Sequence, residues 1–168
     1  MRVSTAKISV AAAVAATAAL AAFLFLREPA APTVTFLTTK GEKVTTGDLR
    51  GKVVLVNFWA TDCLPCLKEM PQIVATYDKY RGRGFETIAV AMSYDPPNLV
   101  LDYAEKNRFQ FKVALDLNGE LARNFGNVQF TPTTFIIDRR GRIVKRYLGE
   151  PEFARLRALL EAKLAETS

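Results

Sequence analysis

Residues 53–71 read VVLVNFWATDCLPCLKEMP, from Val53 to Pro71. Val53-Val54-Leu55-Val56-Asn57-Phe58 is an apolar run, the mark of a central strand covered on both faces. Beyond it Leu67, Met70, Ile73, Val74, Tyr77 and Tyr80 recur at helical spacing, so the spacing predicts a helix from Cys63 to about Lys79 that Gly82 and Gly84 end. The two cysteines of the chain, Cys63 and Cys66, therefore stand where a buried strand hands over to an amphipathic helix.

That position gives Cys63-Leu64-Pro65-Cys66 a chemistry. One thiol opens the helix and its partner lies one turn on, close enough for a disulfide. Unpaired amides and the helix dipole at the N-terminus favour an anion. The pKa of Cys63 is expected below the free value of ~8.5, which makes it the attacking thiolate. Cys66, deeper in the helix, is the resolving thiol. Pro65 lacks an amide hydrogen, which costs little in a first turn. Zinc binding needs a second ligand pair, and the chain has neither further cysteines nor any histidine. The absence of histidine also excludes Ser-His-Asp and Cys-His catalysis.

Outward from this core the pattern continues in α/β fashion. Residues 34–46 alternate around Lys40-Gly41 as a hairpin, and Phe85 to Met92 is a second buried strand. Residues 96–107 form a helix on Leu99, Val100 and Tyr103, opened by Pro96-Pro97. Phe111 to Leu115 is a short strand and Gly119 to Phe125 a short helix. Thr133–Ile137 and Ile143–Leu148 pair antiparallel across Asp138-Arg139-Arg140-Gly141. Pro151 to Ala165 is a helix with Phe153, Leu156, Leu159, Leu160 and Leu164 on its buried face. The order predicts a central mixed β-sheet with helices on both faces.

The N-terminus is of another kind. Ile8 to Leu26 is 19 residues without a charge, close to the ~20 that span a bilayer as helix. It exceeds the ~7–15 residues of a signal-peptide core and ends in Phe23-Leu24-Phe25-Leu26-Arg27 rather than a small-x-small cleavage site. Residues 1–7 then form a cytoplasmic tail, 8–26 an uncleaved transmembrane anchor (the alternative being a signal peptide), 27–32 a stiff linker and 33–168 the folded domain. Of the formal net charge of +6, Arg2, Lys7 and Arg27 carry three, leaving +3 for residues 28–168. Those remaining charges are mostly interleaved with acids, which argues against a nucleic-acid partner.

Trp59-Ala60-Thr61-Asp62-Cys63-Leu64-Pro65-Cys66-Leu67-Lys68-Glu69-Met70-Pro71 resembles the active-site segment of TlpA/ResA-type thioredoxin-like proteins. Asn57-Phe58 ahead of it, and Thr131-Pro132-Thr133-Thr134-Phe135-Ile136-Ile137-Asp138 with Gly141 near the end, strengthen the likeness, which covers about residues 33–165. The resemblance implies a thioredoxin-like fold and thiol–disulfide oxidoreductase activity without a cofactor or metal. It implies that disulfides are reduced on exported proteins, apocytochrome c among them. Electrons would come from a transmembrane thiol donor, with the domain outside a bacterial inner membrane as a monomer. Carried over by position, Cys63 and Cys66 form the redox disulfide, Pro132 is a cis-proline facing it, and Glu69 is an acid that influences its protonation. Trp59, Leu64, Pro65 and Thr131 are the expected substrate contacts.

Glu69 could instead be a solvent-facing helix residue, and Trp59 plain core filling. The missing amide of Pro71 is expected to kink the active-site helix. Asp62 stands where the family commonly has tryptophan, and its charge is expected to raise the pKa of Cys63. Leu64 replaces a more usual polar residue. With no histidine between the cysteines, these features suggest a reductant with a potential nearer thioredoxin's than DsbA's. Two other classes remain weaker. A copper chaperone on the same fold would use the soft thiolates but lacks histidine or a methionine pair nearby. A peroxiredoxin-type peroxidase needs a threonine three residues before the cysteine, where Ala60 stands.

Overall fold

The computed structural model describes Thr17 and residues 28–166. The anchor reading of 8–26 lies outside the described residues except for Thr17, and the reading of 1–7 lies outside them entirely. No helix among the described residues is long and apolar enough to cross a membrane.

A two-stranded hairpin, β1 (Thr35–Leu37) and β2 (Lys43–Thr45), precedes a five-stranded sheet of β3 (Val53–Trp59), β4 (Phe85–Ala91), β5 (Lys112–Leu115), β6 (Thr133–Ile137) and β7 (Ile143–Leu148). The order is β5-β4-β3-β6-β7. β3, β4 and β5 run parallel, while β6 is antiparallel to β3 and β7 to β6. The helices are α1 (Leu64–Tyr80), α2 (Pro97–Lys106), α3 (Glu120–Asn124) and α4 (Phe153–Ala165). This is the mixed α/β arrangement expected, with element ends within about two residues.

All seven residues of β3 are buried, which is why its sequence lacks the alternation of a half-exposed strand. Its side chains nevertheless alternate in destination. Val54, Val56 and Phe58 pack with Phe36 of the hairpin, Leu121 of α3 and Phe135 of β6. On the opposite face Trp59 meets Cys66, Met70 and Ile73 of α1, and Leu55 meets Leu156 and Leu160 of α4. Each fully buried Val, Leu or Phe contributes about 1.5–3 kcal/mol. Phe58 adds edge contacts to Phe125 and Phe135 at ring separations of 5.4 and 6.0 Å.

Two expectations are corrected. Leu99, assigned to the buried face of α2, is 47% exposed, whereas Val100 is buried and Tyr103 packs against the core. The linker does not stand free of the domain from Glu28 to Ala31. Ala30 bridges to Arg142, Ile143 N–H donates to the Pro29 carbonyl and Ala31 N–H to the Gly141 carbonyl, both at 2.8 Å, and Glu28 pairs with Arg142 at 3.4 Å. A short proline-bearing segment with no periodicity gives no sign of its partner, a turn more than a hundred residues away.

The sheet has two ends of different use. β3 points its C-terminal end at the dithiol, and β6 begins beside it, since Phe58 pairs with Thr133. The β6–β7 turn and the loop before β3 meet at the other end. There Arg139 donates to the carbonyls of Gly51 at 2.5 Å, Leu164 at 3.2 Å and Arg83 at 3.4 Å, tying three segments together. Gly84 takes φ +82° at this junction, and a Cβ on it would lie 3.0 Å from the Arg139 guanidinium.

Candidate active site

Cys63 is the N-cap of α1, with φ −92° and ψ 97°. Its Sγ accepts from Cys66 N–H at 3.3 Å and its carbonyl from Leu67 N–H at 3.1 Å. The sulfurs of Cys63 and Cys66 are bonded at 2.09 Å, with Cα atoms 5.2 Å apart. Cys63 is half-buried while Cys66 is fully buried. A helix opening on one accessible sulfur, with the second shielded a turn deeper, is the asymmetry that a nucleophile and a resolving thiol need. Leu64, 78% exposed, and Pro65 stand outward between them. α1 then runs on through Pro71.

Beneath the dithiol lies a titratable group in the core. Glu69 is fully buried, which rules out the solvent-facing alternative. It follows Cys66 by three residues on the inner face of α1. Its Oε1 accepts from Asn57 Nδ2 at 2.7 Å, and the same amide donates to Thr134 Oγ1 at 2.9 Å. Asn57 and Thr134 are register partners on β3 and β6, so the amide bridges both strands to the helix. Among the described residues Glu69 Oε2 and Asn57 Oδ1 have no hydrogen-bond partner. Burial pushes the Glu69 carboxyl up to about 7, only partly offset by the Asn57 hydrogen bond and reinforced by the negative charge of Glu150. A carboxyl with such a value changes protonation near neutrality, where it can hold or release a proton.

Trp59 is also fully buried, 5.5 Å from the Tyr103 ring and 6.3 Å from Phe109, in the cluster that contains Cys66 and borders Cys63. From this position it forms the floor under the disulfide. The turn leading to Cys63 is pinned from β4's end. Buried Asp95 accepts from Thr61 N–H at 2.7 Å and Thr61 Oγ1 at 2.5 Å. Asp62 between them is exposed.

The Thr131-Pro132 peptide is cis. Pro132 is buried, its carbonyl accepting from Gly149 N–H at 2.8 Å, and Thr133 Oγ1 donates to the Phe130 carbonyl at 2.7 Å. Among the described residues nothing pairs with the main-chain N–H or C=O of half-buried Thr131. Its hydroxyl lies 3.5 Å from Tyr94 Oη. Phe130 and Tyr94 are 70% and 58% exposed.

Cys63, Cys66, Leu64 and Pro65 thus share one helix start, with Trp59 and Glu69 below and Thr131-Pro132 at the same end of the sheet. The partners Asn57, Thr134, Asp95 and Thr61 had no assigned role from sequence. The polar residues inside the otherwise apolar β3 and β6 were the available signal for the first two. For Asp95 and Thr61, 34 residues apart, there was none.

The Redoxin family profile matches residues 27–160. The thiol-disulfide oxidoreductase ResA of Bacillus thuringiensis subsp. konkukian is 36% identical over 121 residues, 71% of this chain and 68% of that protein. ResA of Bacillus anthracis is 35% identical over 132 residues, 78% of this chain and 75% of its own. A crystal structure of a thioredoxin-family thiol:disulfide interchange protein from Chlorobium tepidum superposes with a TM-score of 0.75 at 28% identity, covering 83% of this chain and 98% of that one. With its bonded Cys63–Cys66 pair at a helix start, the chain belongs to the Redoxin family and is a ResA-like thiol-disulfide oxidoreductase.

Proposed function

We propose that this chain is a disulfide reductase for exported proteins, apocytochrome c among them, held by residues 8–26 in a bacterial inner membrane with its monomeric domain on the outer side. The observation that carries the direction of the chemistry is the dithiol's setting. One accessible sulfur caps a helix, the other is enclosed, and no histidine stands between them. The extracytoplasmic placement rests on the uncharged stretch from Ile8 to Leu26.

In the reduced protein the Cys63 thiolate attacks one sulfur of a client disulfide. The client's S–S bond breaks, and its departing thiolate takes up a proton. The Cys66 thiolate then attacks Cys63 Sγ, releasing the second client thiol. The client gains two electrons and two protons, and Cys63–Cys66 becomes the disulfide seen here. A membrane thiol donor restores the pair. The unpaired main chain of Thr131 aligns the client by strand-like pairing, with Leu64 and Pro65 contacting its flanks. Trp59 supports the pair from below, and Glu69 positions the protons that Cys66 loses and regains.

Equilibration of the pair against glutathione buffers tests the direction. The expected potential lies near thioredoxin's, about −270 mV, and a value near DsbA's, about −120 mV, would contradict the reading.

A further inference from the structure

Among the described residues basic side chains gather at the end of the sheet away from the dithiol, although Arg123, beside Ser93, stands at the dithiol end. At the dithiol end Asp62, Asp95 and Asp116 follow β3, β4 and β5, and Lys68 and Arg155 there are paired with Glu150 and Glu152. At the far end Arg50, Lys52, Arg139 and Arg140 stand on two turns joined by the Gly51 N–H to Arg139 carbonyl bond and by Arg50 on the Arg140 carbonyl. None of these four has a carboxylate partner among the described residues. Of the acids near them, Asp138 and Glu28 are taken by Arg142 and Glu166 by Lys163, while Asp48 is held by Thr45. Arg50, Lys52 and Arg140 are exposed.

The chain enters the domain at this same end, through the pairing of Pro29, Ala30 and Ala31 with Gly141 to Ile143. We infer that this basic end rests on anionic phospholipid headgroups and holds the dithiol facing away from the membrane. The inference builds on the anchor reading of residues 8–26. From Leu26 to Pro29 is three residues, a reach of about 10 Å at most. The headgroup layer is itself roughly 5–7 Å deep on each side. A tether that short sets the exposed Arg50, Lys52 and Arg140 against the lipid surface, where each adds attraction. The seven residues of β3 then carry the dithiol about 20 Å farther out.

The test uses the full chain, oxidised so that Cys63 and Cys66 do not react, in vesicles whose headgroups chelate nickel. A spin label goes on Gly82→Cys, in the turn before β4 at the basic end, or on Leu148→Cys, which pairs with Thr133 at the dithiol end. In vesicles containing phosphatidylglycerol, the label at 82 is expected to relax several-fold faster than that at 148. High salt, phosphatidylcholine alone, or Arg50→Glu with Arg140→Glu should shrink that contrast. Equal relaxation at the two sites, or a contrast indifferent to salt, lipid charge and charge reversal, would overturn the inference. Retention through an alkaline wash reports on the anchor separately. A chain that washes off removes both readings, and one that stays with equal labels removes only this one.

Discussion

Asn57 and Glu69, on β3 and α1, share a hydrogen bond of 2.7 Å in the interior, while Glu69's second oxygen has no hydrogen-bond partner among the described residues. An ionised carboxylate so placed is costly, and the protonated form is favoured.

The first consequence concerns stability. The Glu69 carboxyl stands at about 7 in the folded protein against 4.5 ordinarily. Between those values the native state binds the extra proton, so stability falls as pH rises through the window, by about 3 kcal/mol in all. Glu69→Gln should flatten that slope and raise the urea midpoint near pH ~8 more than near pH ~5. A midpoint that drops equally at both values would place the role of Glu69 in packing alone.

The second concerns the thiol. Once ionised, Glu69 opposes thiolate formation in the adjoining pair. Glu69→Gln should move the midpoint of Cys63 alkylation in the reduced protein to lower pH, by about one unit or less. An unchanged profile would separate the carboxyl from the dithiol.

Asp95 and Thr61 provide a third. Asp95→Ala removes a charged acceptor from two donors on the turn before Cys63 and should cost about 2–3 kcal/mol. Thr61→Val removes one of those donors. A double-mutant cycle should return a coupling near ~1 kcal/mol, and additivity would show that the hydroxyl contact adds nothing.

At the opposite end Arg139→Lys should destabilise the domain by about 2 kcal/mol. A single ammonium cannot serve the carbonyls of Gly51, Arg83 and Leu164 that the guanidinium fork reaches. Thermal unfolding measures this, with the melting temperature of Arg139→Lys expected near that of Arg139→Ala.

Much of this architecture was legible in sequence because local patterns carry it. The apolar run of β3, the helical spacing after Cys66 and the turn at Asp138–Gly141 each fix an element from neighbouring residues. Glu69 shows the limit. Cys66, Glu69, Ile73, Thr76 and Tyr80 lie on one buried stripe of α1, so periodicity held the information, but a carboxylate argues for solvent. Only the register of β3 with β6 brings Asn57 and Thr134 together beneath it. Leu99 failed in the opposite sense, since an apolar side chain on a short surface helix need not face the core. The docking of Glu28–Ala31 depends on tertiary contact with Arg142 and left no local trace.

In the proposed exchange Cys63 attacks and Cys66 resolves, and trapping tells the two roles apart. Each of Cys66→Ser and Cys63→Ser, reduced and mixed with a disulfide-bonded peptide, can be followed by mass spectrometry for a peptide–protein mixed disulfide. A long-lived adduct is expected on Cys63 in Cys66→Ser, and little or none on the enclosed Cys66 in Cys63→Ser. Adducts forming equally fast in both variants, or in neither, would contradict it.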